Sequence, residues 1–430
     1  MSDHVQLGYQ AALVSMQSPT YGRLWVSVKP HPGNTIACTQ AEASILAAEA
    51  CTHVRPRRRT ELVQARLEAA VADEARAGTH LAKADETVQH EQAGVATLMA
   101  QVQQSREALA HLEQRYRAAQ RPERPTSQLA QARERLGVME RRLARGQARL
   151  GRVPQACERL RVTLTALAQV ATTWRERLAR FEAENAATHA PIQAVIRLDA
   201  GFGTAENVAV LIEMGYDLYT KPYNHQVTTR LRRQLTDEHV WTRVGANAEM
   251  IAFADHTISG CPYTLDLALE RFYTGETIRS STLLHYGSEA VTTDLPAWFA
   301  FYNARQVIEA GIKEGQAIFQ MHHLKVRAAP ALWVQEQFAV FAANLVRWAA
   351  HWLDTQCPQV VVSTGTPSAA PVKEFVHVGA HTSAWVSLRP DGYQLVFTSQ
   401  SAYAGHCLQT GPWALQLPLP LFESCLPEAA

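Results

Sequence analysis

The stretch from Arg55 to Ala187 constrains the fold most, being rich in Ala, Gln, Glu, Arg and Leu and nearly free of strand formers, the composition of long helices. Apolar residues recur at every seventh position through Leu81, Val88, Val95, Val102, Leu109 and Tyr116, with Leu98 and Leu112 at the companion position. A second series runs through Leu129, Leu136, Leu143, Leu150, Cys157, Leu164, Ala171 and Leu178, accompanied by Met139, Val153, Leu160, Leu167, Trp174 and Phe181. Such spacing predicts helices that bury one seam against each other. Between the series, Gln120-Arg-Pro-Glu-Arg-Pro-Thr126 holds prolines that cannot continue a helix and suit a reversal. The two arms, from Thr60 to Gln120 and from Thr126 to Asn185, are each about 60 residues, or roughly 90 Å at 1.5 Å per residue. An antiparallel coiled-coil hairpin is therefore expected over residues 55–187, with Gly94 and Pro154 sharing a joint. It can serve as a spacer, a self-association element or an arm that reaches along a partner.

Outside this insert the pattern is α/β. Residues 9–17 and 23–30 read as strands joined by a Ser18-Pro-Thr-Tyr-Gly22 turn, and residues 39–51 as a helix. Residues 192–198 form an apolar run typical of a strand buried on both faces, and the run ends at Asp199. A helix over 206–214 and a short strand over 217–221 follow. Residues 222–295 mix short strands and turns and read as a smaller β-rich insertion. Helix is expected from Leu295 to Val326 and again from Ala331. A linker at 363–371 leads to a tail with a hairpin signal at Pro390-Asp391-Gly392. The expected segments are thus 1–54, 55–187, 188–221, 222–295, 296–362 and 363–430.

The 430 residues carry 41 Lys+Arg against 40 Asp+Glu, which excludes a uniformly basic coat while leaving local patches open. Seven scattered cysteines with no C-x-x-C spacing argue against a disulfide framework or a structural zinc site and point to a reducing cytoplasm. The most apolar stretch, 331–353, is interrupted by Gln335, Glu336, Gln337, Asn344, Arg347 and His351, so it reads as a core helix and not a membrane span. The amino terminus lacks an export pattern.

Two clusters could carry chemistry. Asp199, in Ile196-Arg-Leu-Asp-Ala-Gly-Phe-Gly203, stands at the carboxyl end of the buried strand, where open α/β sheets place active groups; a turn or capping aspartate is the alternative. The pair Gly201 and Gly203 lacks the third glycine of a dinucleotide site. Tyr302, Arg305, Glu309 and Lys313 recur at steps of three or four, so one helix face would present a phenol, two cations and a carboxylate. Trp298, Phe299, Phe301, Val307 and Ile308 line the other side, which implies packing rather than a solvated stripe. Basic runs at Arg55, Arg57, Arg58 and Arg59 and at Arg230, Arg232 and Arg233 suit either DNA phosphates or solvent. Trp241 suits either stacking on an unpaired DNA base or a core position. His322 and His323 have no ligand at metal spacing nearby.

The string RLDAGFG, then about a hundred residues of β-rich sequence, then Tyr302-x-x-Arg305-x-x-x-Glu309, resembles the RNase H-like core of bacterial DDE insertion-sequence transposases, in the branch with a β-insertion before the catalytic glutamate. The resemblance covers residues 8–54 and 188 to about 355 and leaves out the hairpin and the tail. It implies a carboxylate triad holding Mg²⁺ or Mn²⁺ for DNA cleavage and strand transfer, with Asp199 as the second carboxylate and Glu309 as the third. It also implies phosphate contacts from Tyr302 and Arg305, a partner of double-stranded DNA at element ends and target, and a homodimer on that DNA. The family's lysine falls on Gln316, so that either Lys313, one turn earlier, substitutes for it or phosphate positioning is weakened. The first aspartate has no opening strand ahead of residues 9–30, so either Asp3 takes the role on a fragmentary strand or the first strand and any amino-terminal DNA-binding domain are missing. The alternatives are a truncated, non-catalytic DNA-binding remnant and a coiled-coil scaffold.

Overall fold

The computed structural model describes residues 9–32, 37–120, 124–306, 311–313, 315, 318–319, 328–356, 376, 383–390, 392–398 and 407–410. The chain divides into two compact units, residues 57–189 and the remainder. The remainder opens with β1 (Tyr9–Ser18) and β2 (Gly22–Pro32), an antiparallel pair whose register shifts at Val14/Ser15 so that Val26 has no opposite residue. The Ser18 hydroxyl accepts from the Thr20 and Tyr21 amides at 3.2 and 3.1 Å, and Gly22 closes the turn at φ 67°, a conformation that side chains disfavour. Helix α1 (Ala41–Thr52) follows.

The second unit is a helical hairpin. Helix α2 (Thr60–Ala118) runs one way, and α3 (Gln128–Leu150) and α4 (Val153–Ala187) return along it. The antiparallel sense is visible in pairs that descend on one side as they rise on the other: Glu113 with Arg133, Arg106 with Glu140, Asp85 with Arg161 and Glu74 with Arg175. Val95, Val102, Leu129, Cys157, Ala171 and Phe181 are buried, and each belongs to an apolar series spaced by sevens. Val63, Ala70 and Ala77 extend the seam toward the root in the register of Leu98. The expected joint at Gly94 and Pro154 is corrected: α2 continues through Gly94, and the second arm alone breaks, at Gly151–Arg152. A helical glycine costs only about 1 kcal/mol, whereas a proline clashes with the carbonyl four residues back and settles in a first turn, as Pro154 does in α4.

In the first unit the chain resumes as β3 (Val195–Arg197), α5 (Ala205–Glu213), β4 (Asp217–Thr220) and α6 (Gln226–Gln234). Strands β5 (Thr242–Gly245), β6 (Ala248–His256), β7 (Leu265–Thr274) and β8 (Thr277–Tyr286) follow, then α7 (Leu295–Asn303) and α8 (Ala329–Gln356). One six-stranded sheet takes the order β3-β4-β8-β7-β6-β5, with β3 parallel to β4 and the other neighbours antiparallel. The β-rich segment 222–295 thus extends the sheet that holds β3, because β8 returns to pair with β4. Tyr219, Met250, Ala268, Leu283, Leu295, Trp298 and Tyr302 form the core on one face of this sheet. Strands β9 (Ala384–Arg389), β10 (Gly392–Phe397) and β11 (Cys407–Thr410) make a separate three-stranded sheet.

Helix α8 protects β2. Trp25 and Val28 pack on Val340 and Ala343, and the Asn344 carboxamide accepts from the Trp25 amide at 2.9 Å and donates to its carbonyl at 2.6 Å. Gln337 donates to the Val28 carbonyl at 3.0 Å, so two amide side chains satisfy backbone groups that an edge strand would leave open. On its other side α8 exposes Val334, Phe338, Phe341, Leu345 and Trp348. Among the described residues no helix is long and apolar enough to cross a membrane.

Candidate functional site

Strand β3 ends at Arg197, two residues before Asp199, and the intervening Leu198 fixes where that carboxylate stands. The Leu198 amide donates to the Tyr219 carbonyl at 2.9 Å, while the Leu198 carbonyl accepts from the Tyr302 and Thr220 hydroxyls, each at 3.4 Å. Behind it the chain makes a short 3₁₀ turn, Ala200–Phe202, and enters α5 with Thr204 as cap, its hydroxyl accepting from the Asn207 amide at 3.3 Å. Gly203 is required there, since a Cβ would lie 1.9 Å from the Lys221 carbonyl oxygen. The glycine serves the packing of two loops of this chain, and Gly201 has open space around it.

The Asp199 side chain is 62% exposed and meets Arg305, 18% exposed, at 3.0 Å between Oδ1 and Nη1. The Arg305 guanidinium also lies 5.0 Å from the centroid of the Tyr302 ring. Tyr302 is fully buried, and burial pushes its phenol up to about 12, so it stays a neutral donor to the Leu198 carbonyl. Beside the phenol, Lys221 donates to Glu270 at 2.7 Å and to the Ser281 hydroxyl at 2.9 Å, and Ser281 donates to Glu270. The Lys221 ammonium also sits 5.4 Å and 5.7 Å from the Phe272 and Tyr302 rings. Lys221 and Glu270 were not anticipated. A lone glutamate within the apolar run Leu265-Asp-Leu-Ala-Leu-Glu270 was the available signal, because a carboxylate that deep requires a cation. Arg197 was missed as well; it donates to the Phe301 carbonyl at 2.9 Å and lies over that ring, and burial lowers its pKa.

The structure therefore brings together Asp199, Tyr302 and Arg305. Helix α7 ends at Asn303, and Arg305 lies on a 3₁₀ turn, Ala304–Gln306, which corrects the single helix face expected for the cluster. Glu309 and Asp3 lie outside the described residues. Lys313 is exposed in the helical stretch 311–313.

Of the basic run, Arg57 is exposed and Arg59 half-buried. Arg58 is corrected: it is buried, its Nε 2.5 Å from Glu184 and its guanidinium over the Phe181 ring, so it holds the hairpin root together and is closed to solvent. Trp241 is half-buried, and the Arg271 guanidinium, tied to Glu249, covers one face of its ring at 3.9 Å from the centroid.

The arrangement offers an outward-facing carboxylate, a guanidinium beside it, and behind them a buried phenol and a half-buried ammonium paired with Glu270. A group of this kind can hold a phosphate oxygen at the guanidinium and present an anionic oxygen to a cation. Among the described residues no cluster of three or more His, Cys, Asp and Glu side chains is placed to hold a metal. No family model matches the chain, and no curated protein or solved structure matches it either.

Proposed function

We propose that the chain is a DNA transposase of the RNase H-like, carboxylate-triad class, acting on double-stranded DNA as a homodimer. The observation that carries the reading is the contact between Asp199 and Arg305, residues far apart in sequence that meet at the carboxyl end of β3 with Tyr302 directly behind. The β1–β2 hairpin, α1 and the parallel β3-α5-β4 unit support an RNase H-like core.

Asp199 fits a cation in that its carboxylate is mostly exposed and only Oδ1 is engaged by Arg305. Asp199, Glu309 and Asp3 would hold Mg²⁺ or Mn²⁺, which when bound neutralises charge on the attacking and leaving oxygens of a phosphodiester. Arg305 orients the phosphate through its planar fork of donors. Tyr302 fixes the β3 terminus through the Leu198 carbonyl, and Lys221, its charge balanced by Glu270, packs against the Tyr302 ring.

Incubation of plasmid DNA with Mg²⁺ or Mn²⁺ tests the reading. Cleavage is expected, and Asp199→Asn or Glu309→Gln should lower it by at least about a thousandfold while leaving duplex binding in place. Cleavage that persists in either variant overturns the triad; duplex binding without any cleavage identifies a non-catalytic DNA-binding protein, and loss of both identifies a scaffold.

A further inference from the structure

Charge is unevenly distributed along the hairpin. Residues 101–161 carry 14 arginines and 6 glutamates with no lysine or aspartate, a net +8 in a chain whose total is +1. Within α3 and the start of α4 these arginines follow the seam. Relative to Leu136, Leu143, Leu150 and Cys157, Arg135, Arg142 and Arg149 fall one residue before a seam position, and Arg145, Arg152 and Arg159 two residues after one. Consecutive members are separated by three or four residues from Arg142 to Arg149, so they lie on one side of α3, while Arg152 stands at the break and Arg159 on the first turns of α4. No Asp or Glu occupies either row between residues 128 and 159.

All six arginines are exposed. Arg149 faces Glu91 at 3.6 Å, and among the described residues the other five form no ion pair. Elsewhere on the hairpin the pattern differs, since Arg106, Arg133 and Arg161 are spent on cross-helix pairs with Glu140, Glu113 and Asp85. An unneutralised row of like charges is disfavoured by its own repulsion, so a surface built this way calls for an external polyanion.

The chemistry of the face narrows that polyanion. Guanidinium forks match phosphate oxygens two at a time, and the segment uses arginine to the exclusion of lysine. On α3 alone, from Arg135 to Arg149, the row spans roughly 21 Å of helix, about six base pairs at 3.4 Å each, and Arg152 and Arg159 continue it past the break. Tyr116 is the sole aromatic residue between 101 and 161, so there is no platform on which unpaired bases could stack. An anionic bilayer would call for a free apolar face beside the cations, but Leu129 and Gly146 on α3 are buried in the seam. We propose that this arginine face of the hairpin lies along a DNA duplex and grips its phosphates without reading sequence. The proposal rests on the reading of duplex DNA as the partner and assigns the hairpin its role in it.

Fluorescence anisotropy of the full chain with a mixed-sequence 30-base-pair duplex, between 50 and 200 mM salt, tests it. The combined Arg142→Gln, Arg145→Gln and Arg152→Gln variant removes exposed side chains without ion pairs, and circular dichroism checks that the helices remain. The slope of log affinity against log salt should become shallower by about 2 to 3, near 0.9 for each phosphate no longer neutralised, with binding at least tenfold weaker at the low-salt end. An unchanged slope overturns the proposal. So does binding to single strands as tight as to the duplex, or capture by phosphatidylserine vesicles without duplex binding. Failure of the catalytic reading would show separately, as Asp199→Asn protein that cuts like the parent.

Discussion

Arg305 and Asp199 form an ion pair, 3.0 Å from Nη1 to Oδ1, in which the cation comes from a 3₁₀ turn and the carboxylate from the end of β3. The guanidinium thereby competes with any divalent cation for the same oxygen. Because the Asp199 side chain is 62% exposed, solvent screens the pair and its strength is modest, on the order of 1 kcal/mol or less. Arg305→Gln should therefore tighten Mn²⁺ binding by about two- to fivefold, read by electron paramagnetic resonance of free Mn²⁺, while weakening duplex binding. Unaltered Mn²⁺ affinity would show that Asp199 takes no part in holding the ion.

Asn344 is the clearest structural test away from the site. Its carboxamide satisfies both backbone groups of Trp25, so Asn344→Ala leaves an amide and a carbonyl without partners against a buried tryptophan. A loss of about 1 to 3 kcal/mol is expected in urea denaturation. A change below about 0.5 kcal/mol would mean that α8 contributes little to holding β2.

Glu336 gives a pH dependence of defined sign. It is buried on α8, and burial raises its carboxyl to about 7. With the folded value above the unfolded one, the folded state retains the proton while the unfolded chain releases it between about 4.5 and 7. This group's contribution to stability is therefore undiminished below pH 4.5, falls as pH rises toward 7 and levels off above it. Glu336→Gln should remove that loss, raising stability at pH 8 by up to about 3 kcal/mol with little change at pH 4. Equal effects of the substitution at the two pH values would contradict the assignment.

Close approach of the hairpin helices rests on Gly146, where an added Cβ would meet Val95 Cγ2 at 3.1 Å. Gly146→Leu should force α3 away from α2 and cost about 1 to 3 kcal/mol in thermal unfolding, despite the better helix propensity of leucine. A higher melting temperature would show that the seam is loosely packed at that level.

The hairpin was legible because its seam repeats: Val95, Val102, Leu129, Cys157 and Phe181 stand at spacings that only paired helices require. Its root was harder to read, since Ala70 and Ala77 bury well but carry little apolar signal. Asp199 was legible as the end of an apolar run, and Tyr302 and Arg305 as neighbours three residues apart, though not the 3₁₀ turn that carries Arg305. Arg58 was misassigned because sequence shows a charge but not its partner, and Glu184 lies 126 residues from Arg58; the Arg271 cover on one face of Trp241 was invisible for the same reason. Lys221 and Glu270 escaped notice in the same way, because their pairing exists only once β4, β7 and β8 share a sheet.

The most direct measurement of the central claim replaces Mg²⁺ with Fe²⁺ and uses ascorbate and peroxide to cut the polypeptide beside the bound ion. Fragments ending near residues 199 and 309 are predicted, protected by excess Mg²⁺ and abolished together by Asp199→Asn. Scission elsewhere in the chain, or scission unchanged in the Asp199→Asn protein, would contradict a shared metal site at these two carboxylates.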